Sequence, residues 1–538
     1  MSRKSLHRRT VLKAMAGTGF LLALSPGFLL TGCDDGVIAT EPGTLGLDSE
    51  EYDVELDLRA TPDSASILPG APSEVWRYRA KLLKGPGDTL SEIPDSYLGP
   101  TIRLRRGQTV KIQIHNELPE DTTVHWHGLH VPSDVDGQPR LPIPPGETMT
   151  VGFEVLDRAG LFWYHSHAHG EQGGRVGFQS YAGLAGLLII EDDEERDLEL
   201  PSGDNELLLV LQDRTFTGAN ELVYLDGGMG GMMERMRGFL GDRMLVNGVP
   251  PATRKVASRP YRVRVLNGSN ARIYKLAWSD GRPVTVIGAD GGLLREPEER
   301  PYVMLAPAQR LDIWVDLSES EPGRSLELIS DHYDAGMMRG GMMDGGMMGG
   351  GMMGGGMMGG MGMMSSSALP VGSRFTLTRL EVAESVEASG QLPAQLGLHR
   401  QKIPVNTATR VRPFELSMVM MRGFAINGRR FEGTSVADDE KVRLGDTEIW
   451  EFRNNTPMPH PIHIHGLQFN VLGRRGGSRD SVRQGLVDSG WHDTVLVMPR
   501  ETVQLAMKFE RFDGLYMYHC HNMEHEDAGM MRYFRIEG

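Results

Sequence analysis

Three segments of the chain repeat one pattern of alternating apolar and polar residues, and this repeat constrains the fold more than any other feature. Thr101–Asn116 alternates around an Arg-Gly turn, as two strands joined by a turn would. Val442–Asn454 alternates in the same way, and Arg259–Asn267 is a third version. Few segments with helical periodicity compete. Short strands separated by Gly and Pro turns therefore predict an all-β fold of sandwiches or Greek-key barrels.

Histidine-containing segments follow the first and last of these repeats. The first repeat continues to His125-Trp126-His127 and the last to His463-Ile464-His465, and Gly160–His167 aligns with Gly514–His521. The middle repeat continues to Asn267–Asn270 and has no histidine there. A chain of 538 residues has room for about three domains of roughly 150 residues. We therefore expect three domains, of which the first and third are copies of one unit, at 48–197, 203–380 and 408–538.

The spacing of the histidines predicts metal sites. On a strand, residues i and i+2 point to the same face, so each His-x-His aims two imidazoles at one place. Imidazole and thiolate ligands suit copper or zinc. Four such pairs, two in each homologous domain, would provide eight ligands if the two domains face each other. The clusters are His125-x-His127, His165-x-His167, His460-Pro-x-His463-x-His465, and His519-Cys520-His521 followed by His525 and Met530.

Cys520 lies between two of these histidines. On an extended backbone its sulfur points away from the rings of His519 and His521. Cys520 can therefore bind one metal ion while its neighbours bind others, across one residue of roughly 3.3–3.6 Å. Such a connection is a short path for electrons. Ser166 occupies the equivalent place in the first domain, so only the third domain should have this thiolate centre.

The residues around Cys520 predict the type of that centre. His460, Cys520, His525 and Met530 together offer two imidazoles, a thiolate and a weak thioether. This is the ligand set of a blue-copper electron-transfer centre. Met531 is the alternative thioether, and the spacing favours Met530.

With all four clusters present, the sequence resembles the three-domain multicopper oxidases. The segment HCHNMEHEDAGMM (His519–Met531) is most similar to the bacterial copper-efflux, or cuprous, oxidases, a group related to the bacterial laccases. The resemblance covers essentially the whole mature chain. It implies three cupredoxin-like domains and four copper ions per chain. By position, it makes type 1 ligands of His460, Cys520, His525 and Met530, type 2 ligands of His125 and His463, and type 3 ligands of His127, His165, His167, His465, His519 and His521.

The resemblance also implies an activity. One-electron oxidation of a reduced substrate would be coupled to the four-electron reduction of O2 to water, and Cys520 would carry electrons between the centres. Because O2 reduction consumes protons, Asp136 and Glu526, which resemble acids of the family, would relay them. The neighbouring acids are expected to be bystanders: Asp134, Glu524 and Asp527.

A Met-rich insert points to Cu(I) as the substrate. Gly336–Met364 repeats Gly-Gly-Met-Met and contains thirteen methionines, and a shorter Met-rich stretch runs from Met229 to Met236. Thioethers are soft ligands that select Cu(I), and the many glycines predict a flexible surface segment. The candidate substrate contacts are Met458, Met337, Met338, Met342 and Met343.

One position departs from the pattern of the copper-efflux oxidases. Those enzymes carry an acid four residues before the first type 1 histidine, where this chain has Thr456. Asp331, Asp334 and Asp344 are candidates for the missing carboxylate, and the sequence does not rank them.

Other functions stay open at this point. A laccase would oxidise phenols or other metal ions such as Fe(II) or Mn(II). A copper-sequestering protein would use the insert alone and would need no complete set of ligands. A non-catalytic cupredoxin scaffold of the kind associated with cell division would have lost ligands, and this chain retains them all.

The first 33 residues predict export. A twin arginine in His7–Lys13 precedes the apolar run Ala14–Leu30, which resembles a twin-arginine (Tat) signal. The run ends at a lipoprotein-like box, so the mature chain would begin at a lipidated Cys33. We therefore expect a periplasmic or cell-envelope protein, anchored to the membrane if Cys33 is modified, and a monomer. The formal charge of −15 disfavours nucleic acid as a partner.

Overall fold

The structure is a computed structural model, which describes most of the chain after the N-terminal segment. The predicted signal with Cys33 lies outside the described residues, and so does the Met-rich insert with Met337, Met338, Met342, Met343 and Asp344. The described residues are 44–49, 51–170, 173–225, 229–334, 369–387, 390–397, 402–419, 423–477 and 481–538.

The first unit is a pair of five-stranded sheets. Their strand orders are β1-β8-β6-β2-β3 and β4-β5-β12-β9-β7, and β10 and β11 form a separate short hairpin. The elements are β1 (Leu45–Gly46), β2 (Val54–Ala65), β3 (Ser73–Lys84), β4 (Leu90–Ser91), β5 (Thr101–Arg105), β6 (Thr109–Asn116), β7 (His125–His127), β8 (Thr148–Glu154), β9 (Gly160–His165), β10 (His169–Gly170), β11 (Gly173–Gly174), α1 (Val176–Ala182), β12 (Ala185–Glu191) and α2 (Asp193–Arg196).

The second unit has a six-stranded and a five-stranded sheet. The orders are β14-β13-β16-β21-β18-β19 and β15-β23-β22-β17-β20. The elements are β13 (Glu206–Arg214), α3 (Met229–Arg237), β14 (Arg243–Val246), β15 (Thr253–Ala257), β16 (Pro260–Asn267), β17 (Tyr274–Trp278), β18 (Val284–Ala289), β19 (Gly292–Arg300), β20 (Val303–Leu305), β21 (Arg310–Asp316), β22 (Ser325–Ser330) and β23 (Phe375–Glu384).

The third unit again pairs two five-stranded sheets. The orders are β25-β24-β27-β31-β29 and β26-β33-β32-β28-β30. The elements are β24 (Ala408–Val419), β25 (Gly423–Ile426), β26 (Lys441–Arg443), β27 (Thr447–Asn454), β28 (His460–Ile464), β29 (Phe469–Gly476), α4 (Ser481–Gln484), β30 (Thr494–Val497), β31 (Glu501–Lys508), β32 (Gly514–Cys520), α5 (Met523–Asp527) and β33 (Met531–Glu537).

All three units share the same two parallel strand pairings, and the all-β prediction of three cupredoxin-like domains is confirmed. Each has a parallel pair in one sheet (β2 with β6, β13 with β16, β24 with β27) and another in the second sheet (β5 with β12, β15 with β23, β26 with β33). Parallel neighbours require a crossover, so each unit is a sandwich with Greek-key-like connections, not a simple meander.

The repeated strand pair does not form a hairpin. The turn in Thr101–Asn116 is where the sequence predicts it, but β5 and β6 belong to opposite sheets of the sandwich. The same is true of β26 and β27. Alternation identifies strands and the face that each one buries, whereas the partner of a strand is set by distant residues.

Each sandwich buries its own apolar core. The three cores contain Trp126, Trp278 and Trp450 respectively. The core of the third unit also contains Cys520 and Met530. Two residues of the predicted thiolate centre are therefore enclosed in the sandwich itself.

The sheets extend slightly beyond the predicted domain limits. β1 precedes residue 48 and pairs with β8, and β23 ends at Glu384, after residue 380. Among the described helices, none is both long and apolar enough to cross a membrane.

Candidate metal centres

One group of potential ligands lies inside the third unit. Cys520 Sγ is 3.3 Å from His460 Nδ1 and 3.6 Å from His525 Nδ1, and the two Nδ1 atoms are 3.2 Å apart. All three side chains are completely buried. Burial raises the pKa of the Cys520 thiol well above its ordinary value, so without a metal ion the sulfur keeps its proton.

Two strands and one short helix bring these residues together. β28 and β32 are neighbours, with Ile462 opposite Cys520. Asn522 then caps α5, because its side chain accepts a hydrogen bond from the backbone N–H of His525. This single helical turn reverses the chain direction, so that His525 faces Cys520.

The backbone places Met530 beside the same group. Met530 N donates to His525 O at 2.9 Å, and Cys520 N donates to Met530 O at 3.0 Å. Met530 packs in the apolar cluster that contains Cys520, whereas Met531 packs in a separate cluster with Met517. The two methionines therefore point to opposite sides of the strand, and Met530 is on the side of the cysteine.

The outer nitrogens of both histidines are occupied. His460 Nε2 lies 2.7 Å from Thr456 Oγ1, and His525 Nε2 lies 3.1 Å from the carbonyl oxygen of Met236 in α3. Thr456 is itself buried. Each ring thus holds its Nε2 in a hydrogen bond and turns Nδ1 inward.

A second group of ligands lies between the first and third units. Eight buried imidazoles from β7, β9, β28, β32 and adjoining residues form a cage. Facing nitrogens are 3.1–3.4 Å apart in His125–His463 (Nε2 to Nε2), His465–His519 (Nε2 to Nε2), His167–His519 (Nε2 to Nε2) and His127–His165 (Nδ1 to Nε2).

Asp136 fixes two of these rings from opposite units. Its carbonyl oxygen accepts from His125 Nδ1 at 2.7 Å. Its carboxylate Oδ2 accepts from His465 Nδ1, also at 2.7 Å. Gly137 follows at φ +75°, and a Cβ there would lie 1.9 Å from Val124 O, so only glycine permits this tight turn beside β7.

Asp493 does the same for two other rings, although the sequence reasoning did not identify it. Its carbonyl oxygen accepts from His463 Nδ1 at 2.8 Å, and its carboxylate Oδ1 lies 3.0 Å from His127 Nε2. The available sequence signal was weak: a polar His492-Asp493 pair directly ahead of the buried strand β30.

Cys520 separates the two groups as the two-residue period of a strand predicts. Its sulfur faces His460 and His525, while the flanking rings of His519 and His521 join the cage. The peptide backbone of one residue therefore connects the two groups.

The cage has the properties of a metal site. Within the described residues, both ring nitrogens of His521 are buried and have no hydrogen-bond partner. Unpaired buried nitrogens are costly unless a metal ion or water binds them. Copper favours imidazole and thiolate ligands, so both groups fit copper.

Burial keeps most of these imidazoles neutral. It lowers the pKa of His167, His521 and His525 to about 3. Metal ligation requires deprotonated nitrogen, so this shift prepares the rings for a metal ion. Burial also lowers the pKa well below the ordinary value in His127, His165, His460, His463 and His465.

Glu526 contacts the cage from α5. Its carboxylate oxygens lie 3.1 Å from His519 Nδ1 and 3.3 Å from His167 Nε2. Burial acts to raise its pKa, but the interactions with His519 and His167 dominate and lower it to about 2. Both predicted relay acids, Asp136 and Glu526, therefore contact cage histidines.

Glu524 and Asp527, expected to be bystanders, hold α5 in place. Glu524 accepts from Tyr224 Oη at 2.8 Å and from the backbone N–H of Phe239 at 2.9 Å, both in the second unit. Asp527 accepts from the backbone N–H of Val176 at 2.9 Å, at the start of α1 in the first unit. These contacts tie α5 to the first and second units, so the two carboxylates anchor the helix.

The structure describes three of the substrate-site candidates: Met458, Asp331 and Asp334, of which Asp334 is exposed. Met458 is partly buried against the third core and lines a small cleft with Arg237, Pro459 and Pro461. Asp331 pairs with Lys275 at 3.1 Å and with Arg374 at 3.3 Å, so its carboxylate is already engaged.

The fold and the two ligand groups together define a class of protein. It consists of cupredoxin-like units in which a thiolate centre lies within the last unit and a histidine cage lies between the first and last.

Comparison with known proteins agrees with this class. A family model described as multicopper oxidase matches residues 405–538, and a second one matches residues 75–195. A multicopper oxidase, mco, of Staphylococcus haemolyticus is 30% identical over 443 residues, which cover 82% of each chain. The chain belongs to the multicopper oxidase family, so it is an oxidase whose cofactor is copper.

Its relatives carry several names. A laccase of Bacillus subtilis is 29% identical and covers 81% of this chain and 87% of its own. The cell division protein FtsP of Edwardsiella tarda is 31% identical and covers 74% and 75%. The crystal structure of the multicopper oxidase McoA from Aquifex aeolicus has 32% identity and a TM-score of 0.72, and the match covers 92% of this chain and 98% of that one.

The lowered pKa values predict how stability depends on pH. Below the ordinary histidine value of about 6.5, the unfolded chain takes up protons that His167, His521 and His525 bind only near pH 3 when folded. The copper-free protein should therefore lose stability as pH falls from about 6.5 towards 3, by up to about 1.4 kcal/mol per pH unit for each histidine.

Urea unfolding of copper-free protein at pH 7.5, 6.0 and 4.5 measures this loss. We expect the midpoint to decrease at each step. A midpoint that stays constant or rises would show that these rings are already charged in the folded protein.

Proposed function

We propose that this protein is a cuprous oxidase, which couples one-electron oxidation of Cu(I) to the reduction of O2 to water. The proposal rests above all on one observation: a complete thiolate centre and an eight-histidine cage are joined through Cys520. A chain that only stored copper would need neither the cage nor this connection.

The residues assign four copper ions to the two groups. His460, Cys520 and His525 would hold type 1 copper, and Met530 would supply a weak thioether ligand. His125 and His463, whose Nε2 atoms face each other, would hold type 2 copper. The type 3 pair would be held by the remaining six histidines: His127, His165, His167, His465, His519 and His521.

Bound copper would supply one-electron transfer from the substrate and four-electron reduction of O2. The chain contributes carboxylates that can relay protons to this reaction. Asp136 Oδ1 is buried and has no hydrogen-bond partner among the described residues, and Gln138 orients the other oxygen from 3.0 Å. Glu526 lies on the opposite side of the cage, against His519 and His167. The two carboxylates would deliver protons to the two sides of the cage.

The surroundings of the thiolate centre favour a small ion over a bulky phenol. His460 and His525 are completely buried, and Thr456 and the Met236 carbonyl occupy their outer nitrogens. A phenol ring has no direct access to either imidazole through the described residues. Met458 and Met236 pack against the same core and provide soft sulfur near it.

The substrate prediction concerns Met337–Met364. Purified copper-loaded protein should consume O2 rapidly with Cu(I) and slowly with a phenol. Replacing the thirteen methionines of this segment by serine should lower the Cu(I) rate several-fold, because the soft ligands that collect the ion are lost. Oxygen-electrode rates with both substrates measure the effect.

Deletion of residues 336–364 is the companion variant, since it removes the same sulfurs together with the glycine-rich backbone that carries them. A phenol rate that rises on deletion while the Cu(I) rate falls supports the proposal. If wild type oxidises phenols quickly and ignores Cu(I), the protein is a laccase.

The sequestration alternative predicts a different response to loss of the thiolate. Cys520→Ser should abolish the intense blue absorption and reduce oxidase turnover by at least about 100-fold, because the thiolate of the electron-transfer centre is removed. Copper tolerance of cells that carry this variant should fall to that of cells without the gene.

Ser166→Ala is the matched control, because Ser166 occupies the equivalent place in the first unit. It should keep colour, turnover and tolerance. Undiminished copper tolerance in cells that carry Cys520→Ser would instead identify the protein as a copper-sequestering protein.

We also propose export by the Tat pathway and lipid anchoring at Cys33 in the cell envelope. The twin arginine and the lipoprotein-like box support this proposal. A protein that acquires copper before export would benefit from a pathway that accepts folded chains.

A further inference from the structure

Asp136 and Asp493 are structural counterparts on opposite sides of the cage. Each uses its carbonyl oxygen to hold a histidine of its own unit, His125 or His463. Each uses its carboxylate to hold a histidine of the other unit, His465 or His127.

The two aspartates differ in which ring nitrogen they hold. The carboxylate of Asp136 holds Nδ1 of His465, whose Nε2 faces the cage. The carboxylate of Asp493 contacts Nε2 of His127, whose Nδ1 faces His165 at 3.4 Å. His127 therefore enters the cage through the opposite nitrogen from His465.

Asp493 also has a cationic partner from the second unit. Arg310, at the start of β21, donates from Nη1 to Asp493 Oδ1 at 2.8 Å and from Nη2 to Oδ2 at 2.5 Å. Both side chains are completely buried. Such a two-point contact fixes the plane of the carboxylate as well as its position.

The remaining donors of Arg310 are satisfied by backbone carbonyls. Nε donates to Leu161 O at 3.0 Å, Nη1 to Ala308 O at 3.1 Å and Nη2 to Asp290 O at 3.0 Å. All five guanidinium N–H groups are thus in use, so the guanidinium has one orientation. Leu161 belongs to the first unit, which ties Arg310 to all three units.

Gly128 shows how closely this pair is packed against the cage. It directly follows His127 at φ +93°, and a Cβ there would lie 2.5 Å from Asp493 Oδ2 and 2.9 Å from Arg310 Nη2. No side chain fits between β7 and the ion pair. The carboxylate is therefore confined from both sides.

We propose that Arg310 and Asp493 are positioning residues for the histidine cage: they fix the Nε2–H tautomer of His127, so that Nδ1 faces the cage. The second unit has no histidine at the cage, yet through Arg310 it decides which nitrogen of His127 is available to a metal ion. The inference rests on the proposed copper cluster only for the identity of that ion.

The tautomer can be measured without any activity. In the copper-free full-length protein labelled with 15N-histidine, long-range proton–nitrogen correlation spectra distinguish Nε2–H from Nδ1–H rings, and His127→Gln identifies the signal of His127. We expect Nε2–H. A ring protonated at Nδ1 would overturn the proposal, whether or not the protein is a copper oxidase.

Asp493→Asn tests the carboxylate with little change in shape. The amide oxygen should turn to Arg310, which leaves the amide N–H₂ towards His127 Nε2 and forces the ring to the Nδ1–H tautomer. The same spectra report this switch, and a spectrum identical to wild type would contradict the proposed role.

Arg310→Lys tests the second unit's contribution. Lysine keeps the charge and loses the two-point contact, so copper should bind about 10- to 100-fold more weakly in the cage. Copper content after dialysis against a chelator should fall, while the blue absorption of the thiolate centre persists.

Arg412→Lys is the matched control, because Arg412 makes an equivalent buried two-point contact with Glu448 and also donates to two carbonyls. It should lose similar thermal stability and no cage copper. Equal copper loss in both variants, or none in Arg310→Lys, would reduce the Arg310 pair to a structural role.

Discussion

The site depends on one constraint: a buried imidazole offers one nitrogen to the interior while its other nitrogen is held, as in His125, His127, His463 and His465. A buried polar atom without a partner is costly, so the held nitrogens need acceptors at fixed positions. Asp136 and Asp493 provide such acceptors for four rings, and each spans two units. The docking of the first unit against the third is therefore part of the site itself.

The short helix α5 likewise connects the thiolate centre to all three units. His525 of this helix faces Cys520, while the three carboxylates of the helix each contact a different part of the protein. Glu524 contacts the second unit, Glu526 contacts the cage, and Asp527 contacts the first unit. Because α5 begins three residues after Cys520, these contacts fix the position of His525 relative to the thiolate.

Much of this organisation could be predicted from the sequence. The two-residue period of a strand places Cys520 Sγ and the rings of His519 and His521 on opposite sides, and the structure has this arrangement. The repeated His-x-His pairs likewise indicated a site shared between two copies. Local periodicity determines both features, so a single sequence is enough to predict them.

Other features depend on contacts between distant residues, and the sequence did not reveal them. Asp493 and Arg310 are 183 residues apart and belong to no repeated motif. Glu524 and Asp527 look like surface acids until α5 is packed between units. In the sequence, Thr456 indicated only that the acid of the copper-efflux oxidases is missing at this position. In the structure, its hydroxyl contacts His460 directly. Similarly, the sheet partners of β5 and β6 follow from strands far along the chain.

The most direct test of the central claim is anomalous diffraction at the copper absorption edge from crystals of the copper-loaded full-length protein. We predict four peaks, one beside Cys520 Sγ and three enclosed by the eight cage histidines. The cage peaks should contact residues of the first and third units together. A single peak at Cys520 with an empty cage, or copper bound to the histidines of one unit alone, would contradict the account.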